Sequence, residues 1–191
     1  FDEEVNYYIG WDPAISPDRK ADYTCMCVLA MDKNRHKRVV WMHHEKGMDF
    51  NSQIDKIIEL NARFNPVIVE LETNNFAQAF HQVLKDLPIK PFTMSRMKKE
   101  AVIHSLQLHF EQRHLILPYK DEGRTRRMMD TLLNELSMFT MLPNGKMESL
   151  GAHDDTVIAL ALAVQATKEY RDNIVVLDGA TWTQRLGWTE I

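Results

Sequence analysis

The chain has 191 residues, 45% of them hydrophobic and 26% charged, which suits one globular domain with a full hydrophobic core. No apolar run approaches the roughly 18 residues of a membrane span, and the acidic start Phe1-Asp2-Glu3-Glu4 has the wrong sign for a signal peptide. A formal charge of −4, from 23 basic against 27 acidic residues, argues against a nonspecific nucleic-acid coat protein but does not exclude a nuclease, since a carboxylate-rich metal site makes the metal-free protein more acidic.

Tyr7-Tyr8-Ile9-Gly10-Trp11-Asp12 reads as a first strand that closes on a carboxylate, followed by Pro13 and a polar stretch from Ser16 to Lys20. Asp22 opens a second apolar run to Met31, Asp32-Lys33-Asn34-Arg35 is a turn, and Arg38 to His43 is the returning strand. Short connections between these three strands predict an antiparallel meander. Cys25 and Cys27 lie two apart on one strand, so they point the same way and do not bridge each other. A single Cys-x-Cys is a weak zinc signal, and both read as small buried residues in a reducing compartment.

Ile54, Ile57, Ile58 and Phe64 then give a helical stripe that stops at Asn65-Pro66. Val67 to Glu72 is a strand ending in acids, Phe76 to Leu87 a helix broken by Pro88, and Ile89 to Thr93 a short strand. Three antiparallel strands followed by strand–helix units predict an α/β mixed sheet. Further on, Val102, Leu106 and Phe110 mark a helix, His114 to Pro118 an extended stretch, and Met129, Leu132, Leu133, Leu136 and Phe139 another helix. Asn144-Gly145 is a strong hairpin signal. Val157 to Ala166 is apolar nearly all round, as a helix buried against a sheet would be. From about Ile174 no period is visible, so the domain is expected over 7–173 with a tail at 174–191.

Three acidic positions stand out because each closes or opens an apolar element. Asp12 ends the first strand, Glu72 ends the fourth, and Asp154-Asp155 opens the buried helix. Alone, each has an ordinary explanation: Asp12 as a turn former, Asp154 or Asp155 as a helix cap, and one of Glu70 and Glu72, which share a face of their strand, as a solvated edge residue. Together they suit a different purpose. Carboxylates at such ends converge over one edge of an α/β sheet, and Mg²⁺ or Mn²⁺ takes hard oxygen ligands of this kind.

At these residues the chain resembles a known family. Gly10-Trp11-Asp12-Pro13-Ala14 with Asp22-Tyr23-Thr24, then Val69 to Phe76, then Gly151-Ala152-His153-Asp154-Asp155 and the helix behind it, are similar in order and spacing to three motifs of the nuclease domain of tailed-bacteriophage large terminase subunits, members of the RNase H-like superfamily. The resemblance runs from about residue 7 to 170. It implies a mixed five-stranded sheet with the first three strands antiparallel, flanked by helices and carrying an extra β-hairpin. It also implies a metal-dependent endonuclease that cuts concatemeric double-stranded viral DNA during genome packaging in the cytoplasm of the infected host. The cofactor would be two Mg²⁺ or Mn²⁺ ions. Position by position, Asp12, one of Glu70 or Glu72, and one of Asp154 or Asp155 become metal ligands. Glu72 is favoured because it precedes the polar turn and Phe76, and the choice leans to Asp155. Asp22 is a candidate second-metal or supporting group, or else a strand-opening polar residue.

The implied partners are double-stranded DNA, an ATPase motor domain in the same full-length protein, the portal and the small terminase subunit, with no membrane. The chain contains no Gly-x-x-x-x-Gly-Lys-Ser/Thr, so the motor lies elsewhere. A chain that begins with Phe1 is expected to come from a longer one, with residues 1–6 as the remnant of a linker. Lys98 and Lys99, Arg124, Arg126 and Arg127, and Lys146 in the hairpin are the candidate DNA contacts; solvated turns are the plain alternative. His153, beside the acids, is a candidate for proton transfer or a structural helix-entry residue. A resolvase or transposase of the same fold would share the acids, and a non-catalytic DNA-binding or motor-docking module would not need them. An actin-like ATPase would show glycine-rich phosphate loops, and the seven glycines form none.

Overall fold

The computed structural model describes residues 5–14, 23–73, 77–119, 122–142, 147–151 and 153–172. Asp22, the tip of the predicted hairpin with Lys146, and the stretch from 174 onward lie outside the described residues.

The meander forms as the sequence predicts. β1 (Asn6–Asp12) pairs antiparallel with β2 (Tyr23–Met31), which pairs antiparallel with β3 (Lys37–Lys46). β4 (Ile68–Glu72) adds parallel to β1 on the other side, and β5 (Ile89–Phe92) adds parallel to β4. A sixth strand, β6 (Leu115–Ile116), sits parallel to the outer side of β3. The order β5-β4-β1-β2-β3-β6 therefore extends the expected five-stranded sheet by one short edge strand. It falls within the extended stretch His114 to Pro118, and only Lys37 and Arg38 register with it. β7 (Phe139–Met141) and β8 (Met147–Ser149) flank Asn144-Gly145 and make a separate two-stranded hairpin.

Alternation along the strands sends side chains to two apolar layers. On one face Ile9, Trp11, Met26, Val28, Val69 and Leu71 pack under α1 (Phe50–Phe64) and α2 (Ala77–Val83). Trp11 and Phe50 both lie against Phe80, with ring centres 4.6 and 4.5 Å away. α1 starts where the Asp49 carboxylate accepts from the Ser52 N–H at 2.7 Å, and stops at Asn65, whose φ of +45° is the left-handed cap that asparagine tolerates.

On the opposite face Cys25, Cys27, Leu29, Val39 and Met42 meet α3 (Arg96–Glu111), α4 (Gly123–Ser137) and α5 (Asp155–Asp172). Each residue from Val157 to Val164 is at most 3% exposed, which explains why that stretch shows no polar side: α5 is covered by β1, β2 and β4 beneath and by α3 and α4 beside it. It lies unusually close to β1. A Cβ built on Gly10 would stand 2.0 Å from the Ala159 carbonyl oxygen and 2.3 Å from the Ala163 nitrogen, so only glycine admits the helix at this depth. Among the described residues no helix is long and apolar enough to cross a membrane.

Candidate active site

Because β1, β4 and β5 are mutually parallel, their C-terminal ends lie at one edge of the sheet; β2 begins at that edge and β3 ends there. Registration fixes which residues line up. Phe92 pairs with Glu72, Trp11 with Leu71 (which sets Asp12 beside Glu72), Asp12 with Cys25, and Cys25 with His44. Residues opposite one another across strands share a face. Glu72, Asp12, Cys25 and His44 therefore form one row on the α5 side, where Asp155 opens that helix.

The backbone just after Asp12 is clamped. The Ala14 N–H donates to Thr24 Oγ1 at 3.2 Å, and the Thr24 hydroxyl donates back to the Ala14 carbonyl at 3.3 Å. Gln53 Nε2 donates to the same carbonyl at 3.0 Å and to that of Met48 at 3.2 Å. Thr24 and Gln53 are fully buried, so Asp12 leaves the sheet at a fixed angle.

Charge accumulates at this row. The Asp12 carboxyl is pushed well above its usual range, first by burial, then by Glu72 and Asp155, by its hydrogen bond to Glu72, and by Asp154. Burial also raises Glu72, with Asp154 adding to the rise; the hydrogen bond from Asp12 and the Lys99 ammonium pull the other way. Both carboxyls therefore hold a proton more readily than usual, and a cation between them would reverse that. Lys99 Nζ donates to Asp154 Oδ2 at 2.7 Å, and Lys98 Nζ lies 5.3 Å from the centre of the Phe92 ring. Both lysines come from the first turn of α3, which starts at the same edge with Ser95 as its cap.

Asp12, Glu72, Asp154 and Asp155 are brought together as their positions in the sequence suggest; Glu70 is not. It shares the face of Glu72 but is fully buried, registered with Gly10 beneath α5, and neither of its oxygens has a hydrogen-bond partner among the described residues. Burial raises its carboxyl, with Lys90 opposing. Arg124, Arg126 and Arg127 open α4, whose far end reaches the site, so they stand about 12–17 Å along the helix from Glu135. Arg126 is held by both oxygens of Asp130 at 2.8 Å and lies over the Tyr119 ring. Cys25, although in the row, is a buried free thiol pushed well above its usual range by burial, then by Cys27 and Asp12.

The family model of the terminase RNaseH-like domain matches residues 9–167. The chain belongs to that family. No curated protein matches its sequence. Among solved structures, this terminase RNaseH-like domain is similar to the large terminase nuclease of the thermophilic phage G20c with bound magnesium: TM-score 0.65 and 23% identity over 85% of this chain and 82% of that one. The nuclease domain of the Thermus phage P74-26 large terminase gives 0.64 and 25% over 83% and 78%. That of bacteriophage SPP1, solved with bound Mn, gives 0.57 and 14% over 84% and 85%. The sheet, the flanking helices and their order are those of the RNase H-like fold.

Two residues around the acids escape a reading of the sequence. His44 lies on a part of β3 beyond the apolar run that marks the strand. Its ring stacks on Tyr23 at 4.1 Å, and burial, then His153 and His43, push it down to about 4. Glu135 is the other. It is 6% exposed and falls on the buried stripe of α4 with Met129 and Leu132. Its Oε2 accepts from the Thr156 N–H at 2.9 Å and from the Thr156 hydroxyl, capping the start of α5 in the terminase RNaseH-like domain. An acid at a core position of an amphipathic helix was the available signal. His153 Nδ1 approaches Asp155 Oδ2 at 3.6 Å and meets Tyr23 edge-on.

Proposed function

We propose that the chain is a metal-dependent DNA endonuclease that cuts concatemeric double-stranded viral DNA during packaging. The observation that carries this reading is the convergence of Asp12, Glu72, Asp154 and Asp155 on one sheet edge, where burial and mutual repulsion push the Asp12 and Glu72 carboxyls up. A donor set of hard carboxylate oxygens with an excess of negative charge fits divalent cations. Bound there, two Mg²⁺ or Mn²⁺ ions would supply Lewis-acid chemistry for phosphodiester hydrolysis, activating water and neutralising the leaving oxygen.

Asp12, Glu72 and Asp155 are the ligands in this reading. Asp154, steadied by Lys99, lies alongside them as a further ligand, and Asp22 would serve as a supporting group. Glu135 fixes the start of α5 and with it the place of Asp155. Lys98 and Lys99 at the edge, Lys146 in the hairpin, and Arg124 and Arg127 further along α4 offer phosphate contacts. Double-stranded DNA would reach the site through an ATPase motor in the full-length protein, working with portal and small subunit in the infected cell.

A plasmid-nicking assay with Mg²⁺, Mn²⁺ or excess EDTA tests this. Cutting is expected with either ion and is abolished by EDTA and by Asp12→Asn, Glu72→Gln or Asp155→Asn, each of which keeps the fold. Robust cutting in EDTA overturns the metal-dependent reading. DNA binding without cutting under any ion would make the domain a docking module.

A further inference from the structure

Asp155, which acts on the Asp12 carboxyl, also lies close to His44 and Glu135. A ring nitrogen of His44 and one carboxylate oxygen each of Glu135 and Asp155 lie within 4.8 Å of one another. Ligand atoms about 2.0–2.2 Å from a shared ion are separated by about 3–4.4 Å, so small side-chain rotations close the set. The His44 ring is already fixed by its stack on Tyr23, 4.1 Å between centres and 17° from parallel. Its Nε2 is shielded from solvent and has no hydrogen-bond partner among the described residues. A buried imidazole nitrogen left without a partner costs free energy unless something binds it.

We propose that His44, Glu135 and Asp155 form a mixed nitrogen–oxygen cation site, adjoining the carboxylate site through Asp155, that selects a first-row transition ion over Mg²⁺ or Ca²⁺. Imidazole is a poor ligand for Mg²⁺, which prefers an all-oxygen shell and keeps its waters, whereas transition ions accept nitrogen readily. Three protein ligands on one side leave the remaining positions to water and substrate. The Thr156 contacts to Glu135 act as outer supports that orient one of its oxygens. The site rests on the reading of Asp155 as a metal ligand, and it gives the domain a metal preference that the carboxylates alone would not impose.

Mn²⁺ alone is the probe. The 191-residue chain, stripped of metal, is titrated with Mn²⁺ and with Mg²⁺ by calorimetry, and the Mn²⁺ form is examined by pulsed electron paramagnetic resonance for hyperfine coupling to a directly bound imidazole nitrogen. Wild type is expected to show that coupling; His44→Phe, which keeps a ring on Tyr23 but removes the nitrogens, and His44→Ala both lose it. Mn²⁺ affinity falls by about tenfold or more in these variants, while Mg²⁺ affinity changes by less than about threefold. His153→Ala keeps the coupling. Absence of nitrogen coupling in wild type, or its loss in His153→Ala and not in His44→Phe, overturns the proposal. DNA cutting without nitrogen coupling defeats this site alone; nitrogen coupling without DNA cutting under any ion defeats the endonuclease reading alone.

Discussion

Gly10→Ala tests the geometry that holds the acids together. The new methyl would stand 2.0 Å from the Ala159 carbonyl oxygen and 2.3 Å from the Ala163 nitrogen, against 3.4 Å for an ordinary contact. Both obstacles are backbone, so no rotamer relieves them, and α5 must retreat by about 1.4 Å. Overpacking of this kind costs typically about 1–3 kcal/mol, and a clash with helix backbone belongs at the upper end. For a chain of this size about 3 kcal/mol lowers Tm by roughly 6–12 °C. The same retreat carries Asp155 away from Asp12, and a misplacement of about 1 Å costs about a hundredfold in rate. Differential scanning fluorimetry and the nicking assay read the two effects separately. A Gly10→Ala protein with a Tm within about 2 °C of wild type would refute the close-approach argument whatever the enzyme does.

Glu70→Gln should stabilise the protein, with a pH signature. The folded state raises the Glu70 carboxyl above its usual 4.5, so it binds more protons than the unfolded chain, and its stability contribution is lost as pH rises through the raised value. The gain from Gln is therefore near zero at about pH 4.5 and grows toward about 1–3 kcal/mol at pH 8; urea unfolding at both pH values checks this, and a pH-independent difference contradicts it. Metal binding should release protons, because a cation reverses the raised carboxyls of Asp12 and Glu72; Mn²⁺ titrations in buffers of different ionisation enthalpy would show a larger release as pH falls from 8 to 6, and a buffer-independent heat would contradict it. Charge reversal at Arg124 or Arg127 should weaken DNA binding and flatten its salt dependence, leaving Mn²⁺ affinity unchanged, as anisotropy and calorimetry would record. Arg126, already engaged by Asp130, should contribute least of the three.

The acids were legible because each ends or begins an element whose apolar pattern is strong: Asp12 after Tyr7 to Trp11, Glu72 after Val67 to Leu71, Asp155 before Val157 to Ala166. Alternation puts Glu70 and Glu72 on one face, so only the resemblance favoured Glu72 in the sequence; the pairing of Trp11 with Leu71 sets Glu72 beside Asp12. His44 was hidden because β3 continues to Lys46 through polar residues that show no alternation. Glu135 could be suspected as a charged residue on a buried helical stripe, but its contact with Thr156 spans two elements that only tertiary packing brings together. Gly10 was visible as part of a motif, yet its reason, the depth at which α5 lies, is a property of the packed structure. Lys99 was read as a DNA contact, and its ion pair with Asp154 across 55 positions was beyond any local signal.

Because α5 packs against β1 across most of the chain, the site is completed late in synthesis. Asp12 is synthesised well before Asp155, so the meander and the strand–helix units can form on the ribosome while the acidic edge still lacks its last member. A polypeptide interrupted anywhere before α5 keeps most of the sheet-forming sequence but not the helix that fills the groove over β1 and β2. Such fragments retain Asp12 and Glu72 and lack Asp155, so premature termination or nicking upstream of α5 leaves products that cannot assemble the complete cluster of acids.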